Sequence, residues 1–223
     1  MDRLPNYITV LTDDLTTSNC YILTAQNHAL VIDPNNAAAI QDFLETRHLQ
    51  LDYIFLTHEH CDHISGLNAL RKAVPCTVFA GAACSEGIQN TKRNMSRFMD
   101  TYLYFRTHQL PSRPYPAFTC QAADRTFART AVMTWQTHSF LCRTAPGHTP
   151  GSSYFILNNA ILFSGDYFIP GEEVITRLPG GDPEAYEREG KAILKTIPTP
   201  LLTCPGHGAP FLLTEEIKND YGL

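Results

Sequence analysis

The amino-acid sequence predicts an α/β fold, and three observations point to it. Short apolar runs bounded by polar or Pro/Gly turns alternate with amphipathic stretches through the first third of the chain, the pattern of strands and helices layered around a sheet. Strand-like runs resume after residue 130, several of them joined by tight turns. Finally, some of these runs end in turns that carry histidine or aspartate: His58 to His63, His148, Asp166 and His207. In a layered fold several strand ends meet along one edge, where side chains distant in sequence can assemble.

Taken in order, residues 7–11, 20–24 and 29–32 read as neighbouring strands, with a polar turn at Gln26-Asn27 between the last two. Asp33-Pro34-Asn35-Asn36 breaks the sheet. Asn35 or Asn36 then caps a helix reaching about His48, with Ile40, Phe43, Leu44 and Arg47 on its packed face. Residues 53–56 form a short buried strand that stops at Thr57. A helix over 64–73 follows, with Leu67, Leu70 and Val74 inward, and then a strand over 76–80.

Residues 81–118 differ in kind. They mix Lys92, Arg93, Arg97, Arg106 and Arg113 with Phe98, Tyr102, Tyr104, Phe105 and Tyr115. A helical middle and an irregular exit, with prolines after Leu110, are expected. The stretch is either a lid or substrate wall, or a surface excursion whose aromatics pack on their own domain. Strands return at 131–136 and 139–144, and 154–163 makes a hairpin turning at Asn158-Asn159. Asp182-Pro183 starts a helix to about Thr196. A strand over 201–204 and a short helix after Thr214 close the chain.

Composition bounds the function. With 223 residues, 43% of them hydrophobic and 17% charged, there is ample sequence for a core, and we read one domain over 1–223 with 81–118 as an insertion. A formal net charge of −5 argues against a broad nucleic-acid-binding face. No apolar run has membrane-spanning length, and the opening MDRLPNYITVLTDD lacks the order of a signal peptide. Seven scattered cysteines without a C-x-x-C pair fit reduced thiols in a cytoplasm. The expected partner is a small molecule, with neither nucleic acid nor membrane.

The stretch D-Y-I-F-L-T-H-E-H-C-D-H is the centre of the chain. His58 and His60, two apart in an extended segment, point the same way and can grip one ion. Asp62 and His63 follow where a helix begins and can face a second. Imidazole and carboxylate suit zinc or iron. Cys61 points out of phase with the histidines and reads as a buried thiol. With His148, Asp166 and His207, the set reaches seven, too many for one tetrahedral ion and suited to two that share a bridge. His28, His48, His108 and His138 lack such turns, and His138, within a strand, reads as structural.

The segments T-H-E-H-C-D-H (57–63), A-P-G-H-T-P-G-S (145–152), F-S-G-D (163–166) and C-P-G-H-G (204–208) together resemble the metallo-β-lactamase superfamily. R-L-P-G-G-D (177–182) resembles its glyoxalase II branch, the hydroxyacylglutathione hydrolases. The resemblance implies a four-layer αββα sandwich with two divalent ions at one edge, zinc first, with iron or manganese as alternatives. It implies one ion on His58, His60 and His148, another on Asp62, His63 and His207, and Asp166 as bridge. Asp62 would also orient the attacking water and take up its proton, and a thioester or ester would be cleaved.

There are departures from that branch. About fifteen residues follow His207, so the helical extension that holds glutathione in glyoxalase II is expected to be missing. Tyr167 stands where relatives carry an aliphatic residue or threonine, and either meets substrate or packs. Arg177 either anchors an anionic substrate or forms an ion pair. Arg93, Arg97, Phe98 and Tyr102 are the other candidate substrate contacts. An aspartate at 166 disfavours antibiotic hydrolysis within this resemblance, and His60 disfavours a flavodiiron oxidase. A mononuclear-iron persulfide dioxygenase, a lactonase or phosphodiesterase, and a metal-bound binding protein without catalysis remain alternatives.

Overall fold

The computed structural model describes residues 3–109 and 112–223; Leu110 and Pro111, where the irregular exit of the 81–118 stretch begins, lie outside them, as do Met1 and Asp2. In the first sheet β1 (Ile8–Thr12), β2 (Asn19–Ala25) and β3 (His28–Ile32) pair antiparallel in sequence order. They are continued in parallel by β4 (Gln50–Leu56), β5 (Thr77–Gly81) and β6 (Arg125–Phe127). The second sheet contains β7 (Thr130–Trp135), β8 (His138–Thr144), β9 (Ser153–Leu157), β10 (Ile161–Gly165), β11 (Leu201–Pro205) and β12 (Phe211–Leu213), again in sequence order. Only β10 and β11 in it are parallel, because a helical crossover separates them.

Alternation along the strands sorts side chains into layers. Tyr21, Leu23, Leu30, Ile32, Phe55 and Phe79 turn toward the second sheet and meet Phe140, Phe155, Phe163 and Trp135 in the central core. Their neighbours Cys20, Ile22, Val31, Ile54 and Leu56 face the other way, against Ile40, Phe43 and Leu44 of α1 (Ala37–Thr46). On the far side, Tyr154, Ile156 and Leu162 pack on Tyr186 and Leu194 of the helical stretch after Asp182. The result is the four-layer αββα sandwich.

Asn36, not Asn35, caps α1, accepting the Ala39 N–H at 3.1 Å; Asn35 donates instead to the Ser18 carbonyl at 2.6 Å. Arg47 lies over the Phe43 ring at 4.0 Å. The helix expected over 64–73 is two helices, α2 (Cys61–Ile64) and α3 (Leu67–Ala73). Between them Gly66 donates to the Pro34 carbonyl at 2.8 Å, and a Cβ there would stand 2.7 Å from the Ala37 nitrogen. Only glycine lets the metal-loop helices approach the end of β3 so closely.

The 81–118 stretch holds α4 (Ala82–Gly87), a 3₁₀ turn at Ser96–Phe98 and α5 (Met99–Thr107). After Asp182, which caps its helix through the Ala185 N–H at 2.9 Å, α6 (Pro183–Ala185) and α7 (Lys191–Lys195) are joined by a π-helical turn, Tyr186–Gly190. Thr214 caps α8 (Glu215–Asp220). The sequence reading lacked β6 and β12, three-residue edge strands too short to show a period. His138 opens β8 and stacks on Trp135. No helix of the described residues is long and apolar enough to cross a membrane, and all seven cysteines are free.

Candidate metal centre

β4 ends at Leu56, and the chain stays extended through His60 before turning into α2. This delivers His58 and His60 from the loop and Asp62 and His63 from the first helical turn. His148 comes from the turn after β8, Asp166 from the turn after β10 and His207 from the turn after β11. The fold thus brings all seven sequence-predicted metal residues to one sandwich edge. Candidate ligand atoms of His58, His60, His148 and Asp166 lie within 4.8 Å of one another, and those of Asp62, His63 and His207 do likewise.

Asp166 stands between the two groups. Its Oδ2 is 3.3 Å from His148 Nε2 and 3.8 Å from His58 Nε2, while Oδ1 is 3.2 Å from His63 Nε2 and 3.8 Å from His207 Nε2. Asp62 Oδ2 completes the second group, 3.3 Å from His207 Nε2 and 3.7 Å from His63 Nε2. His60 turns Nδ1 inward, 3.1 Å from His148 Nε2. Nε2 of His58 and Nε2 of His60 are buried without a hydrogen-bond partner among the described residues. Buried polar atoms left this way call for a ligand. Convergent imidazole and carboxylate groups with no thiolate fit divalent cations.

The electrostatics agree with that fit. Burial drives His58 well below the ordinary histidine range and His60 down to about 3, so both are neutral at pH 7 with a lone pair available. Burial also acts to lower His63, but the charges of Asp166 and Asp62 and its hydrogen bonds to Asp166 and Asp33 prevail and hold it well above that range. Burial acts to raise Asp62 and Asp166, yet His63 foremost and His207 beside it outweigh this. Asp62 sits at about 2 and Asp166 well below the usual carboxylate value. Both carboxylates are therefore ionised and paired with the charge of His63 and His207, a positive charge that a bound cation would supply in their place.

A second ring of groups aims the imidazoles. Asp33, at the end of β3, accepts the Thr57 N–H at 2.7 Å on Oδ1. Its Oδ2 accepts the Thr57 hydroxyl at 2.5 Å and the His63 Nδ1–H at 3.2 Å. His58 Nδ1 bonds to Thr57 Oγ1 at 3.0 Å, and His148 Nδ1–H donates to the Ile175 carbonyl at 2.7 Å. In each case the outer nitrogen is occupied and Nε2 is left for the centre. Thr17 Oγ1 lies 3.2 Å from His207 Nδ1, and the Ser18 hydroxyl donates to the Asp62 carbonyl at 2.9 Å. Sequence reasoning missed Asp33, treating it as a sheet breaker, although it ends an apolar run as the other site residues do.

Glu59 was also missed. It is fully buried; its Oε2 accepts the Thr149 hydroxyl at 2.8 Å, and Arg93 Nη2 lies 3.6 Å from Oε1. Arg93 donates as well to the Ala83 carbonyl at 2.8 Å. It ties α4 to the metal loop and is not among the residues lining the cavity that Phe98 and Tyr102 share. Tyr167 follows the packing alternative: it is buried, donates to the Ala145 carbonyl at 2.6 Å and receives the His148 N–H at 3.3 Å. It braces the His148 turn. Cys61 packs with Met95, Met99 and Leu103, and burial pushes its thiol well up, as expected of an inert sulfur.

Phe98, Tyr102 and Arg177 do line a common cavity of about 540 Å³, whereas Arg97 is exposed outside it. Ile175, whose carbonyl holds His148, forms part of its wall. Among the aromatics of 81–118, Tyr115 and Phe118 pack on the domain, and Phe98 and Tyr102 line this cavity.

Comparison with known proteins places this geometry in context. Residues 13–207 match the Metallo-beta-lactamase superfamily. The chain is 26% identical over 207 residues to the "Probable metallo-hydrolase YqgX" of Bacillus subtilis, covering 92% of each protein. It is 30% identical over 162 residues to a hydroxyacylglutathione hydrolase of Bdellovibrio bacteriovorus; the match covers 72% of this chain and 48% of that protein, about half its length. Among solved structures, the BLEG-1 B3 metallo-beta-lactamase superposes with a TM-score of 0.74 at 24% identity, over 92% of this chain and 93% of that one.

Proposed function

The chain belongs to the metallo-beta-lactamase superfamily, and from that premise we propose that it is a hydrolase that uses two divalent cations to cleave a thioester or ester of a small molecule. The observation that carries this reading is the split of Asp166, one carboxylate oxygen facing His58 and His148 and the other facing His63 and His207. His58, His60 and His148 would hold one cation, Asp62, His63 and His207 the other, with Asp166 between. When bound, such a pair lowers the pKa of a shared water toward neutrality and polarises a carbonyl. Zinc suits the nitrogen- and oxygen-only donor set, with iron or manganese as the other fits.

The residues of this chain supply the rest. Asp62 places a carboxylate beside the bridge position, where it orients the attacking water and takes its proton. Asp33, Thr57 and the Ile175 carbonyl hold the imidazoles so that little reorganises during reaction. Phe98 and Tyr102 line the adjoining cavity and exclude water from the acyl group. Similarity to hydroxyacylglutathione hydrolases supports the thioester, and the seven free thiols suit a reducing cytoplasm.

The test is turnover of a thioester, ester, lactone, phosphodiester and β-lactam panel, with persulfide consumption assayed alongside, on protein of measured metal content. Thioester or ester cleavage with two metals per chain is the expected result. One iron with oxygen-dependent persulfide loss, or a strong preference for another bond, would replace this reading. Full metal occupancy without turnover would make the protein a metal-bound binding module.

A further inference from the structure

Resting on the hydrolase reading above, we propose that the cavity beside the metal centre is an acyl subsite selecting substrates with a single anionic group on an apolar or aryl chain, and that Arg177 reads the charge. The cavity is an open cleft of about 540 Å³, the size of a small-molecule site. Phe98, Phe105, Ile175 and Leu178 make its walls apolar. Ile175 belongs both to this wall and, through the 2.7 Å bond from His148 Nδ1 to its carbonyl, to the support of the metal centre. A ligand filling the cavity therefore lies against the segment that positions His148.

Three charged side chains reach the cavity: Arg106, Glu172 and Arg177. Arg106 is already engaged. It donates to the Tyr102 hydroxyl at 3.0 Å and lies 3.5 Å from Glu172 Oε1, so its charge is offset. Arg177 is exposed and makes neither an ion pair nor a side-chain hydrogen bond among the described residues. The cavity thus carries one uncompensated positive charge at the rim of an apolar chamber. A guanidinium in that setting pairs with a carboxylate through two parallel hydrogen bonds, and a second anionic group would meet Glu172.

The test separates this inference from the hydrolase reading by measuring binding as well as turnover. Zinc-loaded protein is titrated calorimetrically with 3-phenylpropanoate and with its neutral amide. The carboxylate should bind about tenfold tighter, roughly the effect of one charge-assisted pair. Arg177→Gln should cut that preference to about twofold, while Arg97→Gln, outside the cavity, should keep it. In kinetics, Arg177→Gln should raise KM for a succinyl thioester about tenfold relative to its neutral methyl ester, with kcat moving much less. A preference for the carboxylate that survives Arg177→Gln would locate the anion on the metals and overturn the proposal, as would no preference in the wild type. If the calorimetric pattern holds and no thioester turns over, the subsite stands and the hydrolase reading falls.

Discussion

Asp33 Oδ2 accepts both the His63 Nδ1–H at 3.2 Å and the Thr57 hydroxyl at 2.5 Å, and Thr57 Oγ1 in turn holds His58. One carboxylate at the end of β3 therefore orients an imidazole in each half of the metal centre. Asp33→Asn leaves a single carbonyl oxygen for contacts that used two. Metal affinity should fall about 10- to 100-fold, the usual consequence of losing an outer-shell partner. Competition against a chelator checks this; unchanged affinity would reduce Asp33 to a turn residue.

Asp62 and His58 separate the two halves. Removing Asp62 takes one of three side chains from its group, so Asp62→Ala should bring the metal content of purified protein from two per chain toward one, with turnover down by about two orders of magnitude or more. His58→Ala should weaken the other half by the same logic. Elemental analysis across a metal titration provides the count. Wild-type protein saturating at one metal would remove the dinuclear model, and near-native turnover by metal-replete Asp62→Ala would remove its role with the attacking water.

A pH-dependent contribution to stability lies away from the centre. Asp52 on β4 accepts hydrogen bonds from His28 at 2.9 Å, Trp135 Nε1 at 2.8 Å and Gln136 at 3.3 Å, joining the two sheets at one edge. Burial acts to raise its pKa, but these bonds prevail and lower it. A carboxylate lowered in the folded state stabilises the protein above its unfolded value near 3.8 and loses that stabilisation as pH falls through the folded value. Asp52→Asn should therefore destabilise by about 1 kcal/mol near pH 7. The gap from wild type should close in acid. Denaturant melts at several pH values test this, and a gap independent of pH would contradict it.

The chemistry of the centre was legible because it is local. T-H-E-H-C-D-H compresses four candidate ligands into seven residues, and His148, Asp166 and His207 each end an apolar run in a polar or glycine-rich turn. Most strands and helices were legible for the same reason, since β2 and β3 are short continuous apolar runs bounded by turns and α1 carries apolar residues at helical spacing. What the sequence did not reveal depends on long-range approach. The break between α2 and α3 arises from the contact of Gly66 with Pro34. Arg93 and Arg106 look alike in sequence, yet one is drawn inward to the buried Glu59 and the other reaches the cavity. β6 and β12 are held in place by one partner strand each and by the burial of Phe127 and Leu213 in cores built from distant residues.

The tightest approach in the centre is made by Gly206, between β11 and His207. A Cβ at this position would stand 2.2 Å from Asp166 Oδ1 and 2.9 Å from His63 Cε1, closer than non-bonded atoms tolerate. Gly206 is also held from both sides, its N–H donating to the Gly165 carbonyl at 2.7 Å and its carbonyl accepting the Asn19 N–H at 2.7 Å. The backbone therefore has little room to retreat, and a methyl group must displace the bridging carboxylate or the His63 ring. Gly206→Ala should keep the fold, since the clash is confined to the sandwich edge, but lower metal occupancy and reduce turnover by about tenfold or more through misplaced ligands. Circular dichroism, metal content and turnover on one preparation distinguish the outcomes. A folded Gly206→Ala protein with two metals and wild-type turnover would show that Asp166 need not occupy the bridge position.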